Sequence, residues 1–243
     1  MTVIAVACVA VLVGGLVRGY TGFGASMFWV ASLSLIYSPA SVVPTVLALE
    51  VLASIALLPS VFRQVHWRSM RWMLLSTVAT MPLGIALLAA LPDRQMRIVV
   101  ALAILSATVA VASGATLVTR PGRVAALTAG SVSGLMNGST GVGGPPAVLL
   151  YFSGASPNDV GRASLIAYFL FTDAIGFALM AGYGLVDLTV LSHTALFAPL
   201  ALVGIVAGQL AFRRTGGTGL RAVVLVVLVV LSVAMLLRAL LLG

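Results

Sequence analysis

The residues of this chain that could bind a ligand are concentrated in two glycine-rich stretches, 18–25 and 137–146. Each stretch contains Thr-Gly-x-Gly, beginning at Thr21 and at Thr140. Glycine and proline interrupt a helix, and the helix that restarts presents unpaired N–H groups and a positive dipole end. Two such turns facing each other would hold an anion. The candidate substrate-binding residues are Arg18, Tyr20, Thr21, Gly22 and Gly24 in the first stretch, and Asn137, Ser139, Thr140, Gly141, Gly143 and Gly144 in the second.

The glycines have a second interpretation, because small residues also allow membrane helices to pack closely. A single Gly-x-Gly would favour packing alone. The matched Thr-Gly-x-Gly motifs, separated by 119 residues, favour an anion site.

Three charged residues fall within apolar sequence. Arg18 precedes the first turn, and its counterpart before the second turn is Asn137. An arginine at membrane depth is costly and usually functional, so Arg18 could neutralise a bound anion. Alternatively, it reaches the interface or pairs with Glu50 or Asp173. These two acidic residues could carry protons during transport, or they could form ion pairs or polar contacts between helices.

Patterns that support catalysis are absent from the sequence. There is no Ser-His-Asp set, phosphate-binding loop, His-Glu-x-x-His motif or cysteine pair. We therefore expect no enzymatic activity, no metal and no cofactor.

The composition predicts an integral membrane protein. Hydrophobic residues make up 61% of the chain and charged residues 7%, whereas soluble domains carry about 25% charged residues. The net charge is +8, and every basic residue is arginine. The arginines lie mostly in short gaps between apolar runs, as in cytoplasmic loops, which argues against nucleic-acid binding.

Apolar runs of about 20 residues are long enough to cross the hydrocarbon. Two further regions, 3–37 and 124–152, are apolar but interrupted by the glycine-rich stretches. Each predicts two short segments of about 13–17 residues, as a re-entrant hairpin or as two short helices. Six uninterrupted spans are predicted: Ala40–Val61, Arg71–Leu91, Arg97–Val118, Asp159–Gly182, Leu188–Phe212 and Leu220–Leu242.

The chain is predicted to be a tandem repeat, with halves 1–119 and 120–243. Several residues of one half match the other: Gly15 with Gly134, Gly19 with Gly138, Ser38-Pro39 with Ser156-Pro157, Gly84 with Gly208, and Arg97 with Arg221. Three full spans per half is an odd number, so the second half should be inverted in the membrane.

Loop charges are consistent with this inversion. Arginines cluster in three loops, which we expect to be cytoplasmic, with both termini outside. The loop 92–97 also carries arginine and would lie outside. The three clusters are Arg63, Arg68 and Arg71; Arg120 and Arg123; and Arg213, Arg214 and Arg221.

The sequence resembles the sulfite exporter TauE/SafE (TSUP) family over essentially its whole length. The motifs that carry the resemblance are Gly14-Gly-Leu-Val-Arg-Gly-Tyr-Thr-Gly-Phe-Gly24 and Gly134-Leu-Met-Asn-Gly-Ser-Thr-Gly-Val-Gly-Gly-Pro-Pro146. Many members have three glycines where this chain has Phe23-Gly-Ala25. The resemblance implies a prokaryotic inner-membrane transporter of sulfite, thiosulfate or an organosulfonate.

We therefore predict an all-α, multi-pass secondary transporter that exports a small sulfur-containing anion, bound at the midplane between the two glycine-rich breaks. A membrane potential that is negative inside favours export of an anion, and import would need co-transported protons or cations. The alternatives are an anion channel of the same fold and a proton-coupled importer. Lipid or a second copy of the chain, as in a homodimer, could cover the Leu/Val-rich final helix.

Overall fold

The computed structural model describes residues 2–113, 122–152, 158–215 and 220–241, which form helices and contain no β-strand. The predicted all-α fold class is therefore confirmed. The helices are α1 (Thr2–Thr21), α2 (Ala25–Leu33), α3 (Pro39–Leu57), α4 (Trp67–Ala90), α5 (Asp93–Ala112), α6 (Arg123–Thr140), α7 (Gly144–Phe152), α8 (Asn158–Gly182), α9 (Leu188–Thr215) and α10 (Leu220–Leu241). Two 3₁₀ turns, Leu58–Ser60 and Phe62–Gln64, join α3 to α4.

Five helices among the described residues are long and apolar enough to cross a membrane: α1, α3, α4, α8 and α9. A shorter apolar helix segment, Val226–Leu241, lies in α10. An α-helix lies in each of the six predicted spans, although α3 ends at Leu57 and not at Val61, and the predicted ends at Val118 and Leu242 lie outside the described residues.

The prediction of two short segments before α3 is wrong. α1 has 20 residues, which at 1.5 Å per residue gives about 30 Å, the thickness of the hydrocarbon. The helix continues through Gly19, Tyr20 and Thr21. Glycine is tolerated there because α9 packs directly on Gly19, beside the Ile205 carbonyl. α2, with nine residues, is short, and the second region also departs from the predicted lengths, since α6 has 18 residues and α7 has nine.

The breaks are shorter than the glycine-rich stretches from which they were predicted. They comprise residues 22–24 between α1 and α2, and 141–143 between α6 and α7. Gly22, Gly24 and Gly141 have φ of 81°, 85° and 68°, which is the left-handed region that side chains with a Cβ disfavour. These three glycines therefore turn the chain, while Arg18 and Asn137 lie on regular helix.

Helices of one half pack on helices of the other. α4 with α6 and α1 with α9 are the two most extensive helix pairs. Both pairs run parallel: Gly15 lies against Ala201 and Gly19 against Ile205, while Gly134 lies against Thr77 and Gly138 against Met81. Small residues at a spacing of four allow this close approach. The packing interpretation thus holds for these helical glycines, which lie outside the breaks.

The short helix α2 forms part of the protein interior. Seven of its nine residues are buried, and the Trp29 indole donates a hydrogen bond to the Val11 carbonyl at 2.9 Å. Non-helical backbone at membrane depth requires such protein surroundings, because lipid cannot satisfy its polar groups.

Arginines accumulate at one end of the helix bundle. His66 donates its N–H to Ser164 Oγ at 3.0 Å, the Arg162 guanidinium lies 4.8 Å from the centre of the Phe212 ring, and Arg123 lies 3.8 Å from that of Trp72. These contacts bring together the loops that carry Arg63, Arg68, Arg71, Arg123, Arg162, Arg213 and Arg214. Arg120 and the side chain of Arg221 lie outside the described residues.

The opposite end carries fewer arginines and several polar contacts. Ser38 caps α3 by accepting the Ala40 N–H and donates to the Asp93 carboxylate at 2.6 Å. Arg97 donates to the Ser34 carbonyl at 3.0 Å, and Arg238 donates to the Leu35 carbonyl. The described part of this end thus mixes arginines with acidic residues.

Candidate functional site

Arg18 and Glu50 form a buried ion pair beside the first break. Arg18 Nη2 lies 3.0 Å from Glu50 Oε2, and the two residues are 1% and 3% exposed. Arg18 also donates from Nη1 to the Gly22 carbonyl at 2.8 Å and from Nη2 to Ser54 Oγ at 3.1 Å. Of the alternatives for Arg18, the structure therefore shows pairing with Glu50 rather than exposure at an interface.

The ion pair leaves hydrogen-bonding capacity unused. The Arg18–Glu50 contact lacks hydrogen-bond geometry, and neither Glu50 oxygen accepts a hydrogen bond. The backbone N–H of Ser26, in the first turn of α2, faces the same carboxylate. Arg18 Nε is buried without an acceptor. The first break thus holds an arginine, a helix N-terminus and a carboxylate that satisfies neither fully.

Asn137 and Asp173 occupy the equivalent places in the second half. Asn137 Nδ2 donates to Asp173 Oδ1 at 2.9 Å, and both residues are buried. Asn137 is three residues before Thr140, as Arg18 is before Thr21. Each break therefore has one polar residue on its first helix bound to one acidic residue on the next long helix, α3 or α8.

Phe169 lies beside a residue next to each break. The Arg18 guanidinium carbon lies 4.8 Å from the centre of the Phe169 ring. On the other side, a side chain at Gly144, the first residue of α7, would meet the same ring, with Cζ at 3.3 Å. Phe169 is one helical turn before Asp173 on α8, so one face of α8 contacts both breaks. The sequence pattern did not identify this residue, because an apolar side chain in an apolar helix carries no signal.

The predicted hydroxyl donors are engaged with backbone carbonyls in this structure. Thr21 Oγ1 lies 2.9 Å from the Val17 carbonyl and 2.5 Å from that of Phe23. Ser139 donates to Leu135 and Thr140 to Met136, each at 2.8 Å. Tyr20 packs its ring edge-on against Phe212, with the centres 5.9 Å apart. The hydroxyl groups of Thr21, Ser139 and Thr140 would have to rotate away from these carbonyls to reach an anion.

One glycine in each break, Gly22 and Gly143, lies close to a charged or polar side chain. A Cβ at Gly22 would approach Arg162 Nε at 2.9 Å, and one at Gly143 would approach Asn137 Cβ at 2.6 Å. A larger residue at either position would displace a neighbouring polar side chain.

A chain of buried hydroxyl groups supports the second break. Thr77 Oγ1 lies 2.6 Å from the Tyr168 hydroxyl, Tyr168 donates to Ser133 Oγ at 2.7 Å, and Ser133 donates to the Gly143 carbonyl at 2.5 Å. Thr77 donates its hydroxyl hydrogen to the Gly130 carbonyl at 2.9 Å, so the hydroxyl chain ends on a backbone carbonyl at each side, Gly130 and Gly143. These residues come from α4, α6 and α8. The hydrogen-bonded hydroxyl groups therefore meet only when the three helices pack, and the sequence alone does not predict them.

A cavity of about 810 Å³ lies elsewhere, along α6 and α7. It is lined mainly by apolar side chains, including Val124, Val132 and Leu150, with Arg123 at its edge. The candidate site residues are not among its lining residues. For metals, the described ranges contain no cluster of three or more His, Cys, Asp or Glu side chains.

The fold and the site define a class of protein. Apolar membrane-length helices, two interrupted helices and charged groups buried beside the interruptions are the features of secondary transporters. The family model for the sulfite exporter TauE/SafE matches residues 6–235, so the chain belongs to this family of membrane transporters. Membership implies a small anion as substrate. Searches of curated proteins and of solved structures found no match.

Proposed function

We propose that this protein is a secondary transporter that exports sulfite or a small organosulfonate, and that the anion binds at Arg18 between the two breaks. The observation that carries the proposal is the buried Arg18 guanidinium beside the first break, with Nε left without an acceptor. A buried arginine at membrane depth requires an anionic partner, and Glu50 satisfies it incompletely.

The chemistry of the substrate fits these donors. Sulfite and sulfonate groups each present three oxygens, and a guanidinium can donate to two of them in parallel. The first turns of α2 and α7 add backbone N–H groups and the positive ends of two helix dipoles. Phe169 would contact the apolar part of an organosulfonate.

The proposed setting is the inner membrane of a prokaryote, with the arginine-rich end in the cytoplasm. α1 runs toward this end, because Gly19 near its C-terminus contacts Arg162. α6 runs away from it, because its first residue, Arg123, lies there against Trp72. Opposite directions of these equivalent helices support the predicted inversion of the second half.

The test is substitution of Arg18 in purified and reconstituted protein. We expect Arg18→Gln to abolish binding of sulfite and small sulfonates in a thermal-shift assay and to abolish their flux into or out of vesicles. Arg68→Gln, which changes an exposed arginine, should retain both and serves as the matched control for charge.

Normal transport by folded Arg18→Gln would refute the site. Flux that does not saturate at high anion concentration would indicate the channel alternative instead of a transporter. A transported anion of altered mass would indicate an enzyme.

A further inference from the structure

We infer that Glu50 acts as an internal substitute for the substrate: it occupies Arg18 in this conformation, and an incoming anion displaces it as a protonated carboxyl group. Anion binding is then coupled to the uptake of a proton. The inference rests on the proposed function, because it requires the anion to bind at Arg18.

The geometry of the ion pair favours exchange. Glu50 is 3% exposed, yet neither of its oxygens accepts a well-aligned hydrogen bond, although the Ser26 N–H faces the carboxylate. A buried carboxylate that lacks hydrogen bonds is poorly stabilised compared with one in water. A three-oxygen anion could use Arg18 Nε and Nη2 together, whereas the Glu50 carboxylate contacts Nη2 at Oε2 only.

The charges around Glu50 explain why anion binding requires a proton. The charged groups that face Glu50 are Arg18 from α1 and Asp173 from α8, and the un-ionised hydroxyl of Tyr168 lies behind Asp173. The Arg18–Glu50 pair is neutral as it stands. A bound monoanion would add one negative charge to it beside Asp173, which is strongly unfavourable at low dielectric constant. A proton on Glu50 removes the added charge.

The exchange balances as follows. The Arg18–Glu50 ion pair breaks, an Arg18–anion pair forms, and one proton passes from water to a Glu50 oxygen. Release of the anion on the other side reverses each change. The cycle therefore carries a monoanion and a proton together and moves no net charge across the membrane, so export follows the concentration gradients of the anion and the proton rather than the membrane potential.

The first experiment counts protons. Calorimetric titration of the wild-type protein with methanesulfonate, in two buffers of different ionisation enthalpy, gives the number of protons taken up per anion. The sulfonate stays ionised near neutral pH, so any proton binds to the protein. If sulfite is the tighter ligand, protons bound by free sulfite are measured separately and subtracted. We expect about one proton per anion, and an affinity that falls roughly tenfold per pH unit as pH rises.

The second experiment identifies the group that receives the proton. Glu50→Gln cannot ionise, so it should bind the anion more tightly than wild type near neutral pH, with almost no proton uptake and a flat pH dependence. Asp173→Asn is the matched control: it changes the other buried carboxylate, and the pH slope should persist because Glu50 is retained.

The outcomes separate the two proposals. No binding of any sulfur anion by wild type refutes the proposed function. Binding without proton uptake refutes the inference alone, whatever the variants do. An unchanged pH slope in Glu50→Gln, or a folded Glu50→Gln that does not bind, also overturns it.

Discussion

Glu50 and Asp173 lie at corresponding places beside the two breaks but have different partners. Glu50 lies against a permanently charged arginine and Asp173 against a neutral amide. The site is therefore chemically asymmetric, although each break lies between a long helix and a nine-residue helix. Both arginines that the structure places beside a break, Arg18 and Arg162, lie at the first one, so the positive charge is concentrated there.

Tyr168 contributes to stability through its hydroxyl. The group links Thr77 to Ser133 and through it to the Gly143 carbonyl. We expect Tyr168→Phe to lower the free energy of unfolding by about 1–2 kcal/mol, because buried hydrogen-bonding groups lose their partner. Anion affinity should change less than about twofold, because the hydroxyl groups contact the break at the Gly143 backbone carbonyl and do not contact Arg18.

Thermal unfolding in detergent and anion titration measure the two effects. Tyr183→Phe, at a position 49% exposed, is the control and should leave both unchanged. A stable Tyr168→Phe that fails to bind the anion would show that the hydroxyl chain belongs to the binding site.

At the scale of elements, the glycines divide into two groups. Gly22, Gly24 and Gly141 turn the backbone, whereas Gly15, Gly19, Gly134 and Gly138 bring helices of opposite halves into contact. The same residue type thus both breaks the helices and fixes their packing.

Alanine at the packing glycines is expected to lower the stability of the protein, which is the opposite of its usual effect in a helix. Gly→Ala within a helix normally stabilises it by about 1 kcal/mol. Gly19→Ala and Gly138→Ala should instead destabilise the protein by about 1–3 kcal/mol, because the new Cβ would overlap the Ile205 or Met81 carbonyl and backbone cannot yield easily.

Gly182→Ala makes the same change where a Cβ meets nothing within 4 Å. Its melting temperature should stay the same or rise. Equal melting temperatures for Gly19→Ala and Gly182→Ala would show that α1 and α9 pack less closely than described.

Part of this arrangement follows from the sequence. The six uninterrupted helices could be predicted because apolar runs of about 20 residues have few other structures. The positions of the breaks could be predicted, but their first and last residues could not. Arg18 and Asn137 remain helical because neighbouring helices pack on the glycines around them. For the site, pairing of Arg18 with Glu50 was one of several alternatives. The contacts of Asn137 with Asp173, and of Phe169 with both breaks, depend on how α8 crosses the others, which periodicity does not specify.

At the scale of the whole molecule, the arginine-rich end predicts the orientation of the protein. Cytoplasmic loops of membrane proteins are enriched in arginine and lysine. With Cys8 replaced by alanine, we expect a cysteine at Arg214 to react with a membrane-impermeant maleimide only after the membrane is opened. A cysteine at Tyr183, between α8 and α9 at the opposite end, should react in intact cells.

Both positions are exposed in the structure, so the comparison reports sidedness rather than burial. Labelling of Arg214→Cys in intact cells, with protection of Tyr183→Cys, would reverse the orientation. Labelling of both would contradict a membrane-spanning α9.

The pairing of helices across the two halves sets an order for synthesis. When α6 leaves the ribosome, its partner α4 is already in the membrane, and the two can join at once. α1 has to wait for α9, which begins about 170 residues after α1 ends. At roughly 5–20 residues per second, that delay is on the order of ten seconds or more. During this interval Gly15 and Gly19 lack the helix that later packs on them, whereas Arg18 can already pair with Glu50 on α3.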